Sequence, residues 1–140
     1  MSQPDLNTRL AIQEALARSA YALDERHMVE LEAGFAESAQ LEIVIAGADP
    51  IVFESRDTIM GLMRDAAETQ TDVRRHITTN LFFDAVEPGG TVSCTSNLTI
   101  TSVENGQIRL VTSGYYKDRF ILENDSWLIL HRRIELDMAY

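Results

Sequence analysis

Three turn signals divide the second half of the chain into four long segments with the period-two pattern of β-strands. The signals are Pro88-Gly89-Gly90, Asn105-Gly106 and Asn124-Asp125. Asn-Gly between apolar segments is a strong hairpin signal, because both turn positions need a positive φ. The predicted strands span residues 73–86, 91–103, 107–122 and 126–137. Four long strands joined by tight turns predict an antiparallel meander.

The first half of the chain has helical patterns, with one short strand. A helix capped by Asn7 or Thr8 carries an apolar stripe formed by Ile12, Leu16, Ala20 and Leu23. A second, shorter helix begins near Met28 and continues through Leu31 and Phe35, and Ser55 can cap a third. The β-branched segment 41–46 predicts a strand.

Helices that precede a run of strands are typical of α+β domains. We therefore predict three N-terminal helices packed on a curved, mostly antiparallel sheet, as a cone-shaped half-barrel that encloses a pocket. The length of 140 residues predicts a single domain over residues 1–140.

Composition and charge restrict the partners and the compartment. The formal net charge of −10 disfavours nucleic acid and anionic membrane surfaces. No apolar run approaches the roughly 20 residues that span a bilayer, and the first residues lack a signal-peptide pattern. The single cysteine, Cys94, cannot form an internal disulfide. We expect a cytoplasmic protein.

Three side chains are unusual for their predicted positions. Asp24 ends the first helix on the face of Tyr21, where a negative charge opposes the helix dipole. His76 shares one face of the first long strand with Arg74, Thr78, Asn80 and Phe82. Arg132 interrupts the apolar face of the last strand, so it either pairs with a buried carboxylate or faces a wet pocket. From the residues alone, a purely structural role is open for all three.

Five fragments, in this order, resemble the SnoaL-like branch of the NTF2-like superfamily. They are Tyr21-Ala-Leu-Asp24, Phe35-Ala36-Glu37, His76-Ile-Thr-Thr-Asn80, Tyr116-Lys-Asp118, and Trp127 with Arg132. The resemblance spans nearly the whole chain and implies a cone-shaped α+β domain with a deep pocket. This branch contains dehydratases, dehydrochlorinases, isomerases, polyketide cyclases, epoxide hydrolases and the non-catalytic β subunits of ring-hydroxylating dioxygenases.

The resemblance also implies a catalytic dyad of His76 and Asp24. In that arrangement His76 is the general base, Asp24 orients it and Arg132 stabilises the developing anion. The substrate-binding residues would be Tyr21, Asn80, Thr78, Phe82 and Tyr116. The layout is similar to that of lindane dehydrochlorinase and, more distantly, scytalone dehydratase. Neither activity is carried over, because Ser19 replaces the lysine of the former and His131 has the outward parity where the latter uses a second histidine.

Three classes of function are open. The first is a cofactor-independent lyase or isomerase that acts on an apolar or cyclic small molecule. The second is a non-catalytic binding or accessory subunit, similar to a dioxygenase β subunit. The third is ligand sensing by an isolated pocket domain. We expect no cofactor and no metal, because the histidines at positions 27, 76 and 131 lack a metal-binding spacing. An outer sheet face carrying Tyr115, Ile121, Trp127 and Ile129 predicts a homo-oligomer, either a dimer or a trimer.

Overall fold

Six strands form one sheet, and three helices pack against one face of it. The computed structural model describes residues 2–140. The elements are α1 Leu6–Asp24, α2 Met28–Ala33, β1 Phe35–Ile45, β2 Ile51–Glu54, α3 Arg56–Thr69, β3 Val73–Phe83, β4 Val92–Glu104, β5 Gln107–Glu123 and β6 Ser126–Leu136. The predicted α+β class and the three helices are confirmed.

The strand order in the sheet is β2-β1-β6-β5-β4-β3. All neighbours are antiparallel except β1 and β6, which run parallel. The predicted meander is therefore β3 to β6. Its two tight hairpins have positive φ angles at both turn residues, 53° and 74° at Asn105-Gly106 and 49° and 64° at Asn124-Asp125. The sequence signals at these turns are confirmed.

The first half of the chain differs from the prediction at three places. Asp5, not Asn7 or Thr8, caps α1, and its Oδ1 accepts a hydrogen bond of 2.8 Å from the backbone N–H of Thr8. The second helix ends before Gly34, and Phe35 begins a strand of 11 residues in which its side chain is buried. The short edge strand β2 was not predicted.

Register shifts occur in four of the five strand pairings. Two of them, in β3 and β6, are β-bulges that change which of the predicted side chains face the helices. In β3 the register against β4 shifts between Thr79 and Phe82. In β6 one residue, Leu130, is extra relative to β5. Ile129 consequently belongs to the buried core, so its predicted place on the outer sheet face is wrong.

The core lies between the helices and the concave face of the sheet. Its largest fully buried side chains come from all layers and include Ile12, Leu31, Phe35, Leu41, Ile59, Met60, Phe120 and Ile129. No helix within residues 2–140 is long and apolar enough to cross a bilayer.

Candidate functional site

A cavity of about 180 Å³ lies between α1, α3 and the sheet. Its walls are mostly apolar and include Leu16, Leu31, Phe35, Leu62, Leu98 and Ile100. Polar groups enter it from four elements: Asp24 from α1, His76 from β3, Tyr116 from β5 and Arg132 from β6. An apolar cavity with a few convergent polar groups is typical of a small-molecule site.

Asp24 and His76 are in direct contact inside this cavity. The distance from His76 Nδ1 to Asp24 Oδ1 is 2.6 Å, and their side chains are only 11% and 7% exposed, respectively. The backbone N–H of His76 also donates to the same carboxylate, at 3.0 and 3.2 Å to its two oxygens. In a neutral imidazole with its proton on Nδ1, the carboxylate fixes the tautomer and leaves Nε2 as a proton acceptor. Nε2 has no hydrogen-bond partner within residues 2–140.

Arg132 is buried and forms a two-point ion pair with Asp118. Its Nε lies 2.8 Å from Asp118 Oδ1 and its Nη2 lies 3.0 Å from Oδ2. Burial opposes the charge of Arg132, but the carboxylate of Asp118 outweighs burial and raises the pKa of Arg132 above its ordinary value. The two possibilities left open by the sequence are both realised, because Arg132 pairs with a carboxylate and also lines the cavity. Its Nη1 has no acceptor within the described chain.

Tyr116 contributes a buried phenol beside this ion pair. The guanidinium carbon of Arg132 lies 4.0 Å from the centre of the Tyr116 ring. Burial raises the pKa of Tyr116 to about 12, despite the opposing effect of Arg132. The phenol is therefore a stable hydrogen-bond donor at neutral pH.

Four of the predicted substrate-binding residues do not line the cavity. Thr78 is half-buried on β3, outside the lining. Tyr21 is 62% exposed, with its ring edge-on to His27 at a centroid distance of 5.9 Å. The reason is helical geometry, because a residue three positions before Asp24 is turned by about 60° around the helix axis. Tyr21 cannot serve as a hydrogen-bond donor in this cavity.

The sequence predicted that Asn80 and Phe82 share one face of β3 with His76. This prediction is wrong for both residues. Asn80 is exposed and has a φ of 55°, a left-handed conformation that Asn tolerates better than most residues. The bulge at this point reverses the alternation, so Leu81 and Phe83 pack on the core. Phe82 is 56% exposed. Neither Asn80 nor Phe82 faces His76.

Three residues at the cavity mouth were missed as site residues. Arg26, Arg74 and Tyr140 all line the cavity. Arg74 could have been predicted from the sequence, because it lies two residues before His76 on the regular part of β3 and therefore on the same face of the strand. Arg26 belongs to the turn after α1 and carries no pattern that separates it from a solvated arginine. No three His, Cys, Asp or Glu side chains within residues 2–140 are grouped as metal ligands.

The chain belongs to the SnoaL-like domain family, which it matches over residues 4–133. No curated protein matches it. The fold is the NTF2-like, cystatin-like fold of several solved structures.

Three of these structures cover almost the whole chain. Aln2 from a Streptomyces species is 20% identical over 97% of this chain and 95% of its own, with a TM-score of 0.83. The β subunit of a putative aromatic-ring-hydroxylating dioxygenase from Novosphingobium aromaticivorans is 18% identical over 95% and 91%, with a TM-score of 0.82. A Catenulispora acidiphila protein in complex with S-DNPA is 21% identical over 95% and 96%, with a TM-score of 0.80. At these identities the likeness establishes the fold alone.

Proposed function

We propose that this protein is a cofactor-independent lyase or isomerase that acts on an apolar or cyclic small molecule. The observation that carries the proposal is the 2.6 Å contact between His76 and Asp24 inside an apolar cavity. An imidazole oriented by a carboxylate inside a cavity is the arrangement that general-base catalysis requires. The same cavity contains Tyr116 and Arg132, both able to donate hydrogen bonds.

In the proposed reaction His76 acts as the general base. Its Nε2 takes a proton from a carbon of the substrate, and Asp24 stabilises the imidazolium that forms. In an elimination, the electron pair of the broken C–H bond forms a C=C bond. The leaving group departs with the electron pair of its bond to carbon. In an isomerisation, the imidazolium returns the proton to a different carbon.

Arg132 and Tyr116 have the complementary role in this proposal. Negative charge develops on an oxygen or leaving group as the proton is removed, and fixed donors in an apolar cavity stabilise it without reorganisation. Asp118 binds the Nε and Nη2 groups of Arg132 and holds the guanidinium in place. Nη1 is therefore the nitrogen that can donate to the substrate. The pKa of Tyr116 of about 12 keeps the phenol protonated throughout the neutral range.

The cavity volume restricts the size of the substrate. An engineered apolar cavity of about 150 Å³ binds benzene. The volume of about 180 Å³ here suits a single six-membered ring with a few small substituents.

The experiment is a turnover screen of hydroxylated and halogenated monocyclic compounds with wild-type protein and His76→Ala. We expect His76→Ala to lose at least about a hundredfold in rate, the usual contribution of a general base. His131→Ala is the matched control, because His131 pairs with Glu42 outside the cavity and its loss should leave turnover unchanged. Unchanged turnover in His76→Ala would refute the proposal.

A second candidate is a non-catalytic accessory subunit. It is favoured by the likeness to a dioxygenase β subunit, which has a TM-score of 0.82. In this case the bonds between Asp24 and His76 only fasten α1 to β3. Stable co-purification with a larger catalytic subunit, together with no turnover in the screen, would select this candidate.

We further propose that the protein forms a homo-oligomer through the outer face of the sheet. Val73, Val103 and Ile108 are direct neighbours across β3, β4 and β5. They are 50%, 40% and 72% exposed. An exposed apolar row of this kind is typical of a contact between subunits.

A further inference from the structure

We propose that the mouth of the cavity binds an anionic group of the substrate, so that the substrate is a small ring compound carrying a carboxylate. This inference rests on the proposed function and names its substrate class. It arises from the charges that line the cavity, which differ from those of the whole chain.

Three guanidinium groups, from Arg26, Arg74 and Arg132, line the cavity with one carboxylate, that of Asp24. Asp118 and Asp72, which are not part of the lining, pair with Arg132 and Arg74, so Arg26 is the one of the three without a carboxylate partner within residues 2–140. The chain as a whole has a net charge of −10. A guanidinium without a carboxylate partner, at an apolar cavity of an acidic protein, favours a negatively charged ligand.

Arg132 and Arg26 differ in how their charges are compensated. Arg132 is neutralised by its ion pair with Asp118. Arg26 donates from Nη2 to two backbone carbonyls, those of Gln70 at 3.0 Å and Asp72 at 3.2 Å. Carbonyl groups hold the side chain in place but carry no net charge, so the positive charge of Arg26 remains for a ligand.

Arg74 is fixed at the cavity mouth by Asp72 and Tyr140. Its Nε lies 3.0 Å from Oδ2 of Asp72, and Asp72 also accepts a hydrogen bond from the hydroxyl of Ser102. The ring of Tyr140 lies 4.9 Å from the guanidinium carbon. The side chain of Tyr140 is also a hydrogen-bond partner of Arg74, and Asp72 is the one carboxylate that pairs with Arg74 within residues 2–140. A guanidinium held in one orientation, with donors that no carboxylate occupies, can bind the oxygens of a substrate carboxylate.

The spacing on β3 places this anion subsite at a useful distance from the base. Arg74 and His76 have the same parity on the straight part of the strand, so they are about 7 Å apart along it. A carboxylate bound by Arg74 would direct an attached six-membered ring into the apolar cavity. The far side of that ring would then lie near His76.

The test is the binding of benzoate and of its neutral analogue benzamide, measured by isothermal titration calorimetry at pH 7.5. Wild-type protein should bind benzoate about tenfold more tightly than benzamide, as expected for a charge-assisted hydrogen bond. Arg74→Gln should abolish this ratio by weakening benzoate alone. Arg75→Gln is the matched control, because Arg75 is the next residue, pairs with Glu25 at 2.7 Å and does not line the cavity.

Two further variants separate this inference from the proposed reaction. Arg26→Gln should also lower the preference for benzoate. If Arg74→Gln does not fold, the same binding measurement is made with Arg26→Gln instead. His76→Ala should keep the preference, because the anion subsite does not use the imidazole. Equal binding of benzoate and benzamide to wild-type protein would overturn the proposed anion subsite. The proposed reaction of His76 would then be tested with uncharged ring compounds. A benzoate preference that depends on Arg74, without any turnover, would support the subsite and refute the reaction.

Discussion

His76 binds Asp24 through two different groups, its backbone N–H and its ring Nδ1. The backbone bond does not depend on the side chain, so the link between α1 and β3 survives a change of the imidazole. A substitution of His76 therefore changes the chemistry of the site more than the packing around it.

The alternation of residues along the strands and the family resemblance together predicted four site residues that line one cavity in the structure: Asp24, His76, Tyr116 and Arg132. The partner of Arg132 could also have been found, because Asp118 shares the parity of Tyr116 on β5. The two bonds that hold Arg26 at the mouth could not be predicted. They join residues 44 and 46 positions apart through backbone carbonyls, which have no sequence signal.

At alkaline pH we expect Tyr116 to contribute a measurable loss of stability. Burial raises its pKa from 10.0 to about 12 in the folded protein. The folded state therefore retains the phenolic proton more strongly than the unfolded state. This contribution is complete below pH 10 and is lost as the pH rises from about 10 to about 12, and it amounts to roughly 2–3 kcal/mol.

Chemical denaturation at pH 9 and pH 11.5 measures this effect. Tyr116→Phe should show a smaller fall in the free energy of unfolding than wild-type protein. Tyr21→Phe is the control, because Tyr21 is 62% exposed. An equal fall in Tyr116→Phe and wild-type protein would show that the phenol has no part in alkaline unfolding.

At the scale of the elements, the four strands of the meander were predicted to within three residues at each end, because alternation and turn residues mark them. The two bulges were not predicted, since an inserted residue leaves the composition of a strand unchanged and only reverses its later parity. This one effect explains the wrong placements of Asn80, Phe82 and Ile129. The strand β2 was missed because four residues are too few to show a period.

The close approach of β5 and β6 at Gly114 makes that position intolerant of any side chain. A Cβ atom there would lie 1.9 Å from the carbonyl oxygen of Glu135. We expect Gly114→Ala to lower the free energy of unfolding by about 3 kcal/mol, because the backbones of two central strands must separate.

Thermal and denaturant unfolding measure this change. Gly61→Ala is the matched control, since a Cβ at Gly61 meets no atom within 4 Å and Gly61 lies within α3. That substitution should stabilise the protein by about 0.5–1 kcal/mol, because alanine favours the helix. A Gly114→Ala variant as stable as wild-type protein would contradict the contact between the strands.

At the scale of the whole molecule, the proposed oligomer depends on the apolar row formed by Val73, Val103 and Ile108. We expect a light-scattering mass that is a multiple of the 15.7 kDa chain. Ile108→Lys should reduce the mass to that of one chain, because it places an unpaired charge within the apolar contact.

Val29→Lys provides the comparison for this experiment. Val29 is 77% exposed but lies on α2, away from the outer sheet face. Its substitution should leave the mass unchanged. A mass of 15.7 kDa for wild-type protein would rule out the oligomer.

The parallel pairing of β1 with β6 also determines the order in which the sheet can form. β1 ends at Ile45 and β6 begins at Ser126, so the ribosome must produce the whole meander before β1 gains its partner. Until then β2 is the only neighbour with which β1 can pair, because its other neighbour in the sheet is β6. Closing a long loop before a stabilising contact forms slows folding. The slowest step of folding should therefore be the docking of β1 and β2 onto a hairpin array that has already formed.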